Sequence, residues 1–185
     1  MKLFNLIPFI ILFICCSASD SNSSSTQDES IPVQEDVFFV PQTIDGVQVQ
    51  REVLLHLPEN FDSTESYPVV IAFHGNGGQN NYWFSKLSQF VDAGEFVGVY
   101  PQGYLNSWNL GAEASSADEV YFFNQIMLKL ETYSFFDASK VYGIGNSNGS
   151  ALINKLAIET SHFSAIAALA SQLIVGTTPN PSTSP

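Results

Sequence analysis

The pentapeptide Gly145-Asn146-Ser147-Asn148-Gly149 fits the pattern G-x-S-x-G. Where this pattern carries chemistry, a strand runs into a sharp turn that lifts the serine above the sheet, and a helix begins directly after it. The serine hydroxyl can then attack a carbonyl carbon, while the helix amino terminus offers backbone N–H groups to the developing oxyanion. Glycines on both sides are needed because side chains there would collide with neighbouring backbone.

The flanking sequence supports this interpretation. Residues 141–144 are an apolar run typical of a buried strand, and residues 151–158 have helical spacing. A dinucleotide-binding loop fits less well, because Gly149 lies one position too late for G-x-G-x-x-G after Gly143 and Gly145, and the acidic residue expected further on is absent. A structural turn with a coincidental serine stays open at this point.

A second glycine-rich segment, His74-Gly75-Asn76-Gly77-Gly78, follows the apolar run at residues 68–73. Its position matches that of a loop that lends backbone N–H groups to an oxyanion, together with the N–H of the residue after the nucleophile. A plain turn is the alternative for this segment alone. Its pairing with the serine motif two strand-helix units later favours the functional interpretation.

Five segments together resemble the α/β-hydrolase esterases of the polyhydroxybutyrate depolymerase and feruloyl or acetylxylan esterase group. The likeness extends over residues 47–173 and is carried by Arg51-Glu52-Val53-Leu54-Leu55-His56-Leu57-Pro58, residues 68–78, Val99-Tyr100-Pro101-Gln102-Gly103, Ser107-Trp108-Asn109 and residues 141–150. Two departures are Ser150, where relatives usually have glycine, and the loop Leu110-Gly111-Ala112-Glu113, where relatives often have cysteines.

The resemblance implies a serine carboxylic-ester hydrolase that acts through an acyl-enzyme. Ser147 would be its nucleophile, with Gly145 and Gly149 as the glycines of the turn. The backbone at His74, Gly75 and Asn148 would form the oxyanion hole. Its partner would be a small or polymeric ester, and no metal or organic cofactor is expected because serine acyl transfer needs neither. A serine peptidase on the same fold stays open, since the serine turn does not distinguish amides from esters.

A general base and its orienting carboxylate are not evident. In this fold the acid and then the histidine follow the nucleophile, but only Glu159 and His162 do so here. At 1.5 Å per helical residue, Glu159 would lie about 18 Å from the serine turn. His56 and His74 belong to an early strand and to the glycine loop. We therefore expect the triad Asp and His, and the last strands of the sheet, to be absent from this chain, and the 185-residue chain alone to be a poor catalyst.

Predicted strands and helices alternate along the chain and would position the serine and the glycine loop. This alternation predicts an α/β fold with a mostly parallel sheet. The resemblance to the α/β-hydrolase esterases implies, in addition, that helices cover both faces of this sheet. Asp118 and Glu119 are expected to be acids in the first turn of a helix, favoured there by its dipole. Strands are predicted at residues 36–40, 47–57, 68–73, 96–100, 140–145 and 165–170, and helices at residues 81–92, 117–132 and 150–160.

The amino terminus is typical of an export signal. Residues 1–16 combine Lys2, an apolar run too short to span a membrane, and Cys15-Cys16, which resembles a bacterial lipoprotein signal. Cys16 is the expected lipid attachment site, since Cys15 is then the small residue before the cut; attachment at Cys15, and an ordinary signal peptide with incidental cysteines, stay open. Residues 17–30 are serine-rich and read as a flexible tether, so residues 31–185 would be the amino-terminal portion of a hydrolase domain. These features predict a secreted or outer-envelope protein held on a membrane by a lipid anchor.

Composition excludes one class of partner. The chain has 18 acidic and 6 basic residues, a formal net charge of −12, which argues against nucleic acid because phosphate binding needs clustered Lys and Arg. Beyond esterase and peptidase, the remaining possibility is a non-catalytic binding lipoprotein that keeps the hydrolase cleft without the chemistry.

Overall fold

Six strands form one mixed sheet in the computed structural model, which describes residues 36–171. The predicted signal, Cys16 and the tether lie outside the described residues, as do any strands beyond the sixth. The elements in chain order are β1 (Val37–Ile44), β2 (Val47–His56), β3 (Tyr67–Phe73), α1 (Asn81–Asp92), β4 (Val97–Pro101), a short 3₁₀ turn (Tyr104–Asn106), α2 (Glu119–Leu130), β5 (Phe136–Asn146), α3 (Asn148–Glu159) and β6 (Ala165–Leu169).

The strand order is β1-β2-β4-β3-β5-β6, and the last four strands in that order are parallel to one another. β1 and β2 form an antiparallel hairpin that joins the parallel part through β4. The hairpin turn is closed by Asp45 and Gly46, whose φ angles of 50° and 80° suit a tight two-residue turn. The carboxyl ends of β3, β4 and β5 therefore meet at one edge of the sheet, where ligands bind in folds of this type.

Helices cover both faces of the sheet. On one face, α2 and α3 enclose the larger core with alternate residues of the strands, among them Ile71, Phe73, Val99 and Val141. On the other face, Trp83 of α1 packs with Ala72 and Tyr100. The predicted α/β class, with a mostly parallel sheet and helices on both faces, is thus confirmed for residues 36–171. Within the same range, no helix is both long and apolar enough to cross a membrane.

The largest differences from the predicted elements are the end of β1, at Ile44 instead of residue 40, and the start of β5. This strand begins at Phe136 instead of residue 140, although its first part includes Asp137 and Ser139, whose side chains bond to each other at 2.6 Å. The pairing of β3 with β5 shifts register between Tyr67 and Val69, so the early part of β5 joins the sheet through an irregularity. Asp137, Ser139 and Lys140 interrupt the first part of β5, so it lacks the continuous apolar run on which the prediction rests.

Candidate active site

Ser147 is the single residue between the end of β5 and the start of α3. Its φ and ψ angles are 54° and −118°, a conformation that residues with a side chain rarely adopt. Such backbone strain costs about 1–3 kcal/mol and is found mainly at functional positions. Ser147 is exposed, and its hydroxyl has no hydrogen-bond partner among residues 36–171.

The glycines on either side of Ser147 are required by close backbone contacts. A β-carbon on Gly145 would lie 2.3 Å from the carbonyl oxygen of Gly149, and one on Gly149 would lie 2.4 Å from that of Phe73. Ser150 follows Gly149 in the first turn of α3. It is fully buried, and its hydroxyl donates to the carbonyl of Gly145 at 2.7 Å, which ties the first turn of α3 to β5.

The glycine loop after β3 lies directly against this turn. A β-carbon on Gly75 would be 3.2 Å from the carbonyl oxygen of Asn146 and 3.4 Å from Cβ of Ser147. The loop is closed by a hydrogen bond from the N–H of Gly78 to the carbonyl of Gly75 at 2.9 Å. The structure therefore brings together the two segments that the sequence singled out, the serine turn and the His-Gly loop.

His74 is buried and neutral, and its ring stabilises this loop through two hydrogen bonds. Its Nε2 accepts a hydrogen bond from the N–H of Gly103 at 3.0 Å, so that nitrogen carries no proton and Nδ1 donates to the carbonyl of Gly75 at 2.8 Å. Burial lowers the pKa of His74, because the charged ring would lose its hydration. Protonation would also replace the acceptor at Nε2 by a donor facing the Gly103 N–H.

Acidification should therefore destabilise the protein through His74. Because its pKa is lower in the folded than in the unfolded chain, the unfolded chain binds more protons, and the free energy of unfolding falls as pH drops below about 6.5. We expect a smaller loss between pH 7.5 and 5.5 in His74→Gln, measured by urea denaturation. Burial also lowers the pKa of His162, which contributes equally to both proteins. Equal losses in the two proteins would contradict the assignment.

The side chain of Asn148 is held by four hydrogen bonds, although the sequence indicated only its backbone. Its Oδ1 accepts from the N–H of Trp108 at 2.8 Å and from the hydroxyl of Ser107 at 3.3 Å. Its Nδ2 donates to the carbonyl of Trp108 at 3.2 Å and to Glu113 at 3.3 Å. The Ser-Trp-Asn segment was a sequence signal for this contact, whereas nothing in the sequence pattern pointed to Glu113.

A cavity of about 490 Å³ opens beside the serine turn. Its volume is within the range of small-molecule sites. Of the aromatic residues near the motifs, Tyr104 lines it, whereas Trp83 and Trp108 are buried in the core. The wall combines the glycine loop, the 3₁₀ turn and the loop that contains Glu113, and it includes Asn76, Tyr104, Leu105, Ser107, Glu113 and Asn148.

No imidazole lies beside Ser147 in the described part of the chain. Glu159 pairs with Lys155 on α3, and Nε2 of His162 lies 3.2 Å from Oδ1 of Asn124. His56 pairs with Asp92 at 2.9 Å and lies opposite Gly98 at the start of β4, across the sheet from the end of β5. The ring of His74 is occupied by the loop contacts described above. The described residues therefore contain a serine turn and an adjoining loop but no base for the serine.

Glu119 lies in the first turn of α2, as the sequence predicted, but it also has partners that the sequence did not indicate. Asp118 caps α2, because its Oδ1 accepts from the N–H of Tyr121 at 2.9 Å. Glu119, however, is only 3% exposed and forms an ion pair with Arg51 of β2 at 2.7 Å. Its other oxygen accepts from the N–H of Asn109 at 3.0 Å. Its position is set by these distant partners and not by the helix dipole alone.

Two curated proteins are similar to this chain in sequence. Feruloyl esterase B of Thermothelomyces thermophilus is 27% identical over 115 residues, which are 57% of this chain and 38% of that protein. Feruloyl esterase B of Neurospora crassa is 29% identical over 98 residues, 48% of this chain and 33% of that protein. The matched part of the chain thus spans about a third of the length of these relatives. No family model matches the sequence.

Among solved structures, a thermostable esterase superposes with a TM-score of 0.58 and 19% identity, over 77% of this chain and 43% of the other. At this identity the likeness is evidence for the fold. Together with the sheet order and the serine turn, it confirms the resemblance that the sequence motifs predicted. The chain has the α/β-hydrolase fold, and its sequence likeness is to the esterases of that fold.

Proposed function

We propose that this protein is a serine carboxylic-ester hydrolase whose nucleophile is Ser147. The observation that carries the proposal is the strained backbone of Ser147 at the junction of β5 and α3. The glycine loop at residues 74–78, from here on the Gly75 loop, packs against it. Strain of this kind presents the hydroxyl above the sheet and persists only where the surrounding structure imposes it.

In the proposed reaction, Oγ of Ser147 attacks the ester carbonyl and its proton passes to a general base. Negative charge then develops on the carbonyl oxygen. The N–H of Asn148, the first residue of α3, has no acceptor within its own helix and is available to that oxygen. N–H groups of the Gly75 loop would supply the second donor. Collapse of the intermediate expels the alcohol and leaves an acyl-enzyme, which water hydrolyses.

The base and its orienting carboxylate belong, in this proposal, to a part of the protein outside residues 36–171. None of the three histidines in the sequence stands next to Ser147, and His74 accepts from Gly103 on the nitrogen that a base would need. The substrate class is proposed from the cavity and from the relatives. The cavity wall contains Tyr104 together with polar groups, which suits an aromatic or hydroxylated ester.

Comparison of ester and amide substrates tests this function. We expect the protein produced from its complete reading frame to hydrolyse p-nitrophenyl acetate and methyl ferulate, and to leave the p-nitroanilide of a short peptide intact. Acetylated xylan and poly-3-hydroxybutyrate granules, offered in parallel, would identify a polymeric substrate. Cleavage of the anilide at a rate similar to the esters would instead support the peptidase. Binding of these compounds without turnover would support a non-catalytic receptor.

Secretion and lipid attachment at Cys16 are also proposed, on the sequence of residues 1–30. A lipid anchor would hold the hydrolase at the cell envelope on a serine-rich tether. Mass spectrometry of the mature amino terminus checks this directly. A diacylated Cys16 supports the anchor, and a mature terminus that begins elsewhere contradicts it.

A further inference from the structure

Trp108 contacts both halves of the proposed oxyanion hole. Its side chain is fully buried against the end of β3, with the indole ring 4.8 Å from the ring of His74 and 5.4 Å from that of Phe73. The indole N–H donates to the carbonyl oxygen of His74 at 2.7 Å. This bond fixes the peptide group that joins His74 to Gly75, at the point where β3 leads into the glycine loop.

The backbone of the same residue holds the start of α3. The N–H of Trp108 donates to Oδ1 of Asn148, and its carbonyl accepts from Nδ2, at 2.8 and 3.2 Å. With further bonds to Ser107 and Glu113, both protons and both lone-pair directions of the Asn148 amide are used. The side chain therefore has one orientation, and it anchors the residue whose own N–H faces the proposed oxyanion.

We propose that Trp108 is a positioning residue that sets the spacing between the two donor segments of the oxyanion hole. This inference rests on the proposed function. Trp108 bonds to the Gly75 loop through its indole and to the first residue of α3 through its backbone, so neither segment moves without straining a buried or partly buried hydrogen bond. Oxyanion stabilisation depends on donors placed in advance, and a displacement of about 1 Å can cost about a hundredfold in rate.

Trp83 provides a matched control, because its indole N–H donates to the neighbouring carbonyl, that of Phe73, at 2.9 Å. It is 7% exposed and lies on the opposite face of the sheet, away from Asn148. Trp108→Phe and Trp83→Phe each remove one buried indole hydrogen bond. A general loss of packing would affect both variants alike, whereas loss of oxyanion positioning would affect only Trp108→Phe.

The test measures kcat and KM for p-nitrophenyl acetate, and inhibition by a trifluoromethyl ketone, in the protein from its complete reading frame. For Trp108→Phe we expect kcat to fall about 10- to 100-fold with KM within about threefold, and the inhibition constant to rise in parallel with the loss of kcat/KM. For Trp83→Phe we expect less than about a threefold change. Should Trp108→Phe not fold, Asn148→Ala, which keeps the backbone N–H of residue 148 but removes its side-chain bonds to the backbone of Trp108, should likewise lower kcat with little change in KM.

Equal effects of the two tryptophan variants, or a rise in KM with kcat unchanged, would overturn the inference and leave the proposed function intact. Absence of Ser147-dependent turnover in the unaltered protein would overturn the proposed function and the inference with it.

Discussion

Replacing Ser147 by alanine should lower kcat/KM for p-nitrophenyl acetate by about 10³- to 10⁶-fold in the protein from its complete reading frame. The variant keeps the Gly75 loop, the amino terminus of α3 and the cavity beside the serine turn, so KM for residual turnover should change little. What is lost is the covalent route, because among residues 36–171 no second hydroxyl occupies the position of Ser147 at the end of β5. Steady-state kinetics at substrate concentrations around KM measure both constants.

Ser85→Ala is the matched control, since Ser85 lies exposed on α1 and its hydroxyl bonds only within its own helix turn, to the carbonyl of Tyr82. It should keep full activity. A Ser147→Ala protein that retains more than about a tenth of the activity would show that Ser147 is not the nucleophile.

Backbone strain at Ser147 gives an independent readout of the same site. Glycine adopts a φ of 54° and a ψ of −118° without steric conflict. Ser147→Gly should therefore be inactive but more stable to urea than Ser147→Ala, by about 1 kcal/mol or more. Equal stability of the two variants would show that the turn is not strained.

Replacing Arg51 by methionine should lower the free energy of unfolding by about 3–5 kcal/mol. The Arg51 guanidinium is 1% exposed, pairs with Glu119 at 2.7 Å and lies 3.6 Å from the centre of the Phe122 ring. Removal of the arginine leaves the Glu119 carboxylate buried without its counter-charge. Burial already raises the pKa of Glu119, an effect that Arg51 opposes, so the pKa of this carboxyl should rise further in the variant.

The double variant Arg51→Met/Glu119→Leu should be more stable than Arg51→Met alone, because it leaves no buried charge. Lys155→Met is the matched control for the loss of an ion pair. Lys155 pairs with Glu159 in a partly exposed position, and its loss should cost no more than about 1 kcal/mol. Urea denaturation followed by far-ultraviolet circular dichroism measures all three. Similar losses in Arg51→Met and Lys155→Met would contradict the account of the buried pair.

Features specified by local sequence were predictable. The apolar runs of β3, β4 and the second part of β5 predicted a parallel sheet, and the two glycine motifs predicted turns at its carboxyl edge. The structure shows why those glycines are necessary, since Gly149 packs on the carbonyl of Phe73, 76 positions earlier in the chain. The motifs carried this information because close backbone contacts leave glycine as the fitting residue.

Features that depend on pairing between distant residues were not predictable in the same way. The place of Glu119 in the first turn of α2 was predictable from the local sequence. Its pairing with Arg51, 68 residues away, was not, because such a pairing has no local signature. The same holds for the bond between Glu113 and the side chain of Asn148, which joins a loop to the first residue of α3. The sequence therefore located the serine and the glycine loop, but not the hydrogen bonds that fix them relative to each other.

The central claim is that Ser147 is an activated nucleophile. Its most direct test is to treat the protein from its complete reading frame with a fluorophosphonate and to locate the adduct by intact-mass and peptide mass spectrometry. We expect one adduct for each chain, on Ser147, and none on the Ser147→Ala variant. A folded protein that hydrolyses esters yet carries no adduct, or carries it on another residue, would contradict it.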